Sequence, residues 1–179
     1  MRMMRVVLLA FLVIAFSGCK GASRGKQAAA LLAKANTVWA KSGTNTEEWT
    51  AEWGRAFGPE GRARFPANRA ALQTSADKIV KILDDEKRLI DEAVPQYEKA
   101  IALMTDERQQ QGFKLLVSSM KTNLEGYEFV KSQMQLVTDE SIVDAKTFEE
   151  RFLSLGAQFG RTQRVSNAQL AEGKRMLGM

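Results

Sequence analysis

Histidine is absent from the 179 residues of this chain, cysteine occurs once, tyrosine twice and proline three times. Without histidine, Ser-His-Asp and Cys-His nucleophiles, histidine-bearing zinc sites and the Glu-x-x-His pattern of ferritin-like di-iron bundles are excluded. A single cysteine, Cys19, cannot close a disulfide within the chain, so packing has to hold the fold. No segment alternates apolar and polar positions with enough β-branched residues to make a sheet, and glycine and proline gather at a few turns. The expectation is an all-α chain.

Long apolar runs are scarce too, and the one present lies at the start. Arg2 and Arg5 precede an uncharged stretch from Val6 to Phe16, the layout of a secretory signal. Crossing a bilayer takes roughly 20 apolar residues, and this run is broken after about 11 by Ser17, Gly18 and then Lys20, too soon for a stable span. Phe16, Ser17, Gly18 and Cys19 resemble the lipobox of bacterial lipoproteins, with Phe16 where that family most often has Leu. The resemblance implies a diacylglyceryl group on the Cys19 thiol, cleavage between Gly18 and Cys19, and acylation of the freed amine, commonly with palmitate. It implies a membrane anchor and no other cofactor, with no thiol left for catalysis or haem attachment. Lys20 stands where Asp would favour inner-membrane retention, so the expected location is the cell envelope, outer membrane before inner, with the domain facing periplasm or cell surface. Two or three acyl chains hold firmly where one binds marginally. Nucleic acid is a poor partner for an exported chain.

Removing residues 1–18 takes Lys plus Arg from 26 to 24 against 21 Asp plus Glu, and the formal charge from +5 to +3. The distribution is uneven: 9 basic and 4 acidic residues over 20–69, 9 and 14 over 70–145, 6 and 3 over 146–179. Complementarity between helices of a bundle is the plainer explanation. A basic surface near the anchor, facing anionic headgroups or lipopolysaccharide phosphates, is the functional one.

Along the mature chain, residues 19–25 resemble a lipidated tether, and 26–179 a single helical domain. Leu31, Ala35, Val38 and Trp39 mark a helix over about 27–41. Gly43 then stops it and Thr46 caps a short second helix carrying Trp49, Trp53 and Phe57 at i, i+4 and i+8. That stripe is foremost core, with a ligand pocket or an interface as the functional alternatives. "GPEGRARFP" reads as a loop. Leu72, Ala76, Ile79, Leu83, then Ile90, Val94, Tyr97, Ile101 and Met104 step by four and three through one long helix, with a polar break near Lys87 and a kink expected at Pro95. Thr105, Asp106 and Glu107 start a returning helix with Phe113, Val117, Met120, Leu124, Tyr127, Val130, Met134 and Val137 on one face. After "TDESIVD", Asp144 or Thr147 starts a last helix with Phe148, Phe152, Leu155 and Phe159 in line, fraying after Gly160. The fold expected is a helical bundle of three long antiparallel helices with one or two shorter N-terminal helices packed across them. The heptads also permit a partner's helix, so a homo-oligomer stays open.

Chemistry is sparse. Asp84, Asp85 and Glu86, like Glu149 and Glu150, are neighbours pointing about 100° apart on a helix, a solvated face rather than a converging pair. Arg55, Arg62, Arg64 and Arg69 around the glycine-proline stretch are candidates for anion contact, but no phosphate-binding glycine loop is present. The function expected is a non-enzymatic, lipid-anchored binding or scaffolding element with an envelope protein partner. The alternative is a carrier or sensor of a small apolar ligand, lined by Trp49, Trp53 and Phe57.

Overall fold

The computed structural model describes residues 19–179, with side chains from residue 23 onward. The expected signal peptide and the lipobox-like residues up to Gly18 lie outside the described residues, as do the side chains of Cys19 and Lys20. The described chain is helical with no strand: α1 Cys19–Phe57, α2 Pro59–Ala63, α3 Arg69–Leu103, α4 Glu107–Gln135 and α5 Ala145–Leu177. There are thus four long helices rather than three, with one short helix between the first two. None is long and apolar enough to cross a membrane.

The difference arises in α1, where the expected tether, the expected break at Gly43 and the expected restart at Thr46 all lie inside one 39-residue helix. A helix-interior glycine costs about 1 kcal/mol. Burial of Ala35, Val38, Ser42 and Trp49 on both sides of Gly43 outweighs it. Thr46 does not cap: its Oγ1 donates back to the Ser42 carbonyl at 3.1 Å, as Thr50 does to Thr46 at 2.6 Å, so both hydroxyls are satisfied without opening the helix. Pro59 stands in the first turn of α2, where its missing N–H costs nothing, and the stretch expected to be all loop contains this helix.

The heptad seam of α3 is buried throughout, from Leu72 to Met104. Pro95 sits on the exposed side of a continuous α3. Asp106 caps α4 by accepting from the Gln109 N–H at 2.9 Å, and Asp144 caps α5 by accepting from Thr147 at 2.9 Å.

Side-chain bonds fix the antiparallel registers. Along α1 and α3, Asn36 meets Tyr97, Ser42 meets Glu86 and Glu48 meets Lys78. Between α3 and α4, Glu98 meets Lys121 and Asp84 meets Lys131. The chain therefore runs up, down, up and down, and rings of α1 and α5 meet to close the bundle. Cys19, the α3–α4 turn and the end of α5 share one end; α2, the start of α3 and the α4–α5 turn share the other.

The end of α5 does not fray. Gly178, at φ 74°, forms a left-handed cap in which its N–H and that of Met179 donate to the Arg175 and Lys174 carbonyls at 3.3 and 3.0 Å. The seam that holds this half on α4 is made of small and polar side chains. Ser119 and Ser166 bond at 2.8 Å, Gln169 donates to Ser118 at 2.9 Å, and Gln163 donates to Asn123 at 3.1 Å. Gly112 and Gly173 let the two backbones approach, since a Cβ at Gly173 would lie 2.9 Å from the Gly112 carbonyl oxygen.

Gly173→Ala is therefore expected to lower the unfolding free energy by about 1–3 kcal/mol, the usual cost of overpacking. Gly54→Ala, whose new methyl has nothing within 4 Å, should raise it by up to about 1 kcal/mol through helix propensity. Urea denaturation of the two variants beside the parent chain measures both, and a stabilising Gly173→Ala would refute the close approach.

Candidate functional site

Asp84 and Asp85 are exposed, but Glu86 is fully buried. The expectation of a solvated face fails at this residue for a reason visible in the heptad. Stepping Leu72, Ala76, Ile79, Leu83 onward by three lands on Glu86, and a further four reaches Ile90. What looks like a polar break is a core position filled by glutamate.

Three hydroxyls converge on one of its oxygens. Ser42 Oγ donates to Glu86 Oε1 at 2.5 Å and Tyr127 OH at 3.2 Å, while Thr46 Oγ1 lies 3.4 Å away and shares its one proton between Glu86 and the nearer Ser42 carbonyl. These donors come from α1 and α4, so the carboxyl ties three helices together. Oε2 is buried with no hydrogen-bond partner among the described residues, and so is the Trp49 indole N–H. Trp49 stands edge-on to Tyr127 with centroids 6.1 Å apart.

Burial pushes the Glu86 carboxyl above the ordinary glutamate range, and the hydrogen bonds from Ser42, Tyr127 and Thr46 oppose that shift without cancelling it. Burial is also the first cause that raises the Tyr127 phenol, with the Glu86 charge adding to it. The network holds one carboxyl surrounded by hydroxyls. It can bind a proton and set helix register, and it lacks the second convergent carboxylate that glycoside hydrolysis uses. Among the described residues no group of three or more His, Cys, Asp or Glu is placed to hold a metal ion.

Each of the four arginines has its own partner within the chain. Arg55 donates to Glu52 and, at 3.3 Å, to Ser75. Arg62 is buried: it donates to the Phe57 carbonyl at 2.6 Å and to Glu149 at 3.1 Å, and lies over the Phe152 ring. Arg64 reaches only Glu60, and Arg69 donates to the Ile142 carbonyl while covering Phe65. Arg62 and Arg69 thus tie α2 and α3 to the start of α5 and the turn before it. All four lie toward the far end of α1 from Cys19; a 39-residue helix spans about 58 Å.

The aromatic stripe packs ring on ring. Trp49 meets Phe159 at 6.0 Å, Trp53 stacks on Phe152 at 5.7 Å, and Phe57 stacks on the same ring at 5.5 Å. Trp49 and Phe57 are buried and Trp53 half-buried, so the stripe joins α1 to α5 as core. A groove of ≈ 520 Å³ lies elsewhere, between α3 and α4, lined by Val80, Asp84, Lys131 and Met134 among others.

A carboxyl raised by folding favours the native state most at low pH. Stability attributable to Glu86 falls as pH rises from the unfolded value near 4.3 through the raised folded one, then stays level. Glu86→Gln removes that slope, so its stability relative to the parent chain is expected to grow as pH rises from the unfolded carboxyl value through the raised folded one. Denaturation at several pH values measures the difference, and parallel curves would refute the buried titration. Compared with protein-family models, curated proteins and solved structures, the chain matches none.

Proposed function

We propose that this chain is a lipid-anchored helical protein of the cell envelope that acts as a non-enzymatic binding or scaffolding element. The observation that carries the reading is the run Phe16, Ser17, Gly18, Cys19 at the end of a short apolar segment behind Arg2 and Arg5. The course of α1 supports it. Cys19 lies at one end of the bundle, so acyl chains on that residue would enter the membrane there. The opposite end, with α2 and the α4–α5 turn, would then stand about 58 Å away, in reach of a partner. Arg62 and Arg69 brace that end, which suits a rigid spacer better than a flexible one.

Growth with an alkyne analogue of palmitate tests the anchor. The parent protein should take up label and Cys19→Ala should not; an unlabelled parent protein refutes the anchor. Cross-linking in the cell followed by capture tests the binding role: a specific envelope protein recovered with the parent protein and lost in Cys19→Ala is the expected result. Recovery of no partner in either sample would refute the scaffold.

A further inference from the structure

Folding sorts the charges in a way the linear order conceals. Ser42, Glu86 and Tyr127 lie at one level of the bundle, and on α5 that level falls near Phe159, whose ring a Cβ at Gly126 would touch at 3.3 Å. The half containing Cys19 is then made of residues 19–41, 87–126 and 159–179. It carries 15 Lys and Arg against 7 Asp and Glu, while the other half carries 9 against 14. The net charges are +8 and −5. Basic residues from the two ends of the sequence meet at the same end of the bundle because α1 rises from it and α5 returns to it.

Lys87, Arg88, Lys121 and Arg175 of this half are held by Asp91, Asp85, Glu98 and Glu172, but its cations on α1 and in the middle of α5 are free to act outward. No acidic residue occurs between Cys19 and Glu47, and the ion pairs of α1 among the described residues are those of Glu48, Glu52 and Arg55, all in the other half. Arg24, Lys26, Lys34 and Lys41 on α1, with Arg161 and Arg164 on α5, are exposed. None of the six makes an ion pair among the described residues. In the other half most cations are held: Arg55 by Glu52, Arg62 by Glu149, Lys131 by Asp84 and Arg151 by Asp139.

We infer that the Cys19 half of the bundle is an electrostatic docking surface for anionic phospholipid headgroups. A basic residue held within a Debye length of an anionic leaflet contributes roughly a fivefold gain in partition. The acidic half is repelled by the same leaflet, so the two halves together set an orientation, with the Cys19 end down and the arginine-braced end away. This surface shares with the lipid anchor only the position of Cys19.

The test therefore uses a chain without acyl groups, residues 19–179 with Cys19→Ser, which contains all five helices. Vesicles of phosphatidylcholine alone are compared with vesicles containing roughly one third phosphatidylglycerol, by co-sedimentation at low salt and at about 0.3 M salt. Binding to the anionic vesicles should be stronger by about tenfold or more and should be lost at high salt. The triple variant Lys26→Glu, Lys34→Glu, Arg164→Glu should lose it. The triple variant Arg64→Glu, Lys81→Glu, Lys146→Glu changes the net charge equally in the other half and should keep it, both variants being helical by circular dichroism. Equal binding to the two vesicles overturns the inference, and so does equal loss in the two variants, which would mean that net charge alone governs binding. Since no acyl group takes part, failure here leaves the lipid anchor standing, and an unlabelled Cys19 leaves this surface standing.

Discussion

The register of the bundle hangs on one buried carboxyl. Apolar seams repeat every seven residues, so α1 and α3 could slide by a heptad and still bury Leu, Ile and Val against one another. Glu86 permits no such slip, because only one setting brings Ser42 from α1 and Tyr127 from α4 to its Oε1. Any other would leave a buried acceptor without donors, at a cost of about 1–3 kcal/mol. Burial of the group is itself unfavourable to its charged form, so the network trades some stability for a defined alignment.

From that alignment follow the positions of everything else. With Ser42 opposite Glu86, the α1 stripe reaches α5 at Trp49, Trp53 and Phe57, where the rings of Phe152 and Phe159 receive it. Phe57 lies beside α2, which lets the Arg62 guanidinium reach both the Phe57 carbonyl and Glu149 of α5. The two ends of the bundle consequently differ in kind. One is tied by aromatic stacking and buried arginine; the other is basic, and its α4–α5 seam is narrow enough that Gly112 and Gly173 touch.

Legibility in the sequence followed the size of the side chains. The α3 seam and the α4 face were readable because large apolar residues recur at helical spacing, and the caps at Asp106 and Asp144 because a short acidic side chain precedes each run. The second half of α5 was not readable, since its contact face consists of Thr162, Ser166, Gln169 and Gly173, which carry little hydrophobic signal yet hydrogen-bond or pack closely across to α4. Gly43 and Thr46 misled for the opposite reason: both are local stop-and-start signals worth about 1 kcal/mol each, and the burial of α1 along α3 exceeds them. Glu86 was hidden by its neighbours, as the run Asp84, Asp85, Glu86 has the composition of a solvated face although only the first two are exposed.

By itself the sequence determined the helical class, the turns near Met104 and Val137, the absence of histidine and disulfide chemistry, and the lipobox-like run ending at Cys19, because each depends on residue type or local spacing alone. Only the tertiary structure decided which hydroxyls meet Glu86, that Arg62 and Arg69 reach the start of α5 and the turn before it, and that the basic ends of the chain meet on one half of the bundle. Such contacts depend on residues that the fold brings together from distant positions, as with Ser42 and Glu86, which lie 44 positions apart. Spacing along a single helix carries no record of that.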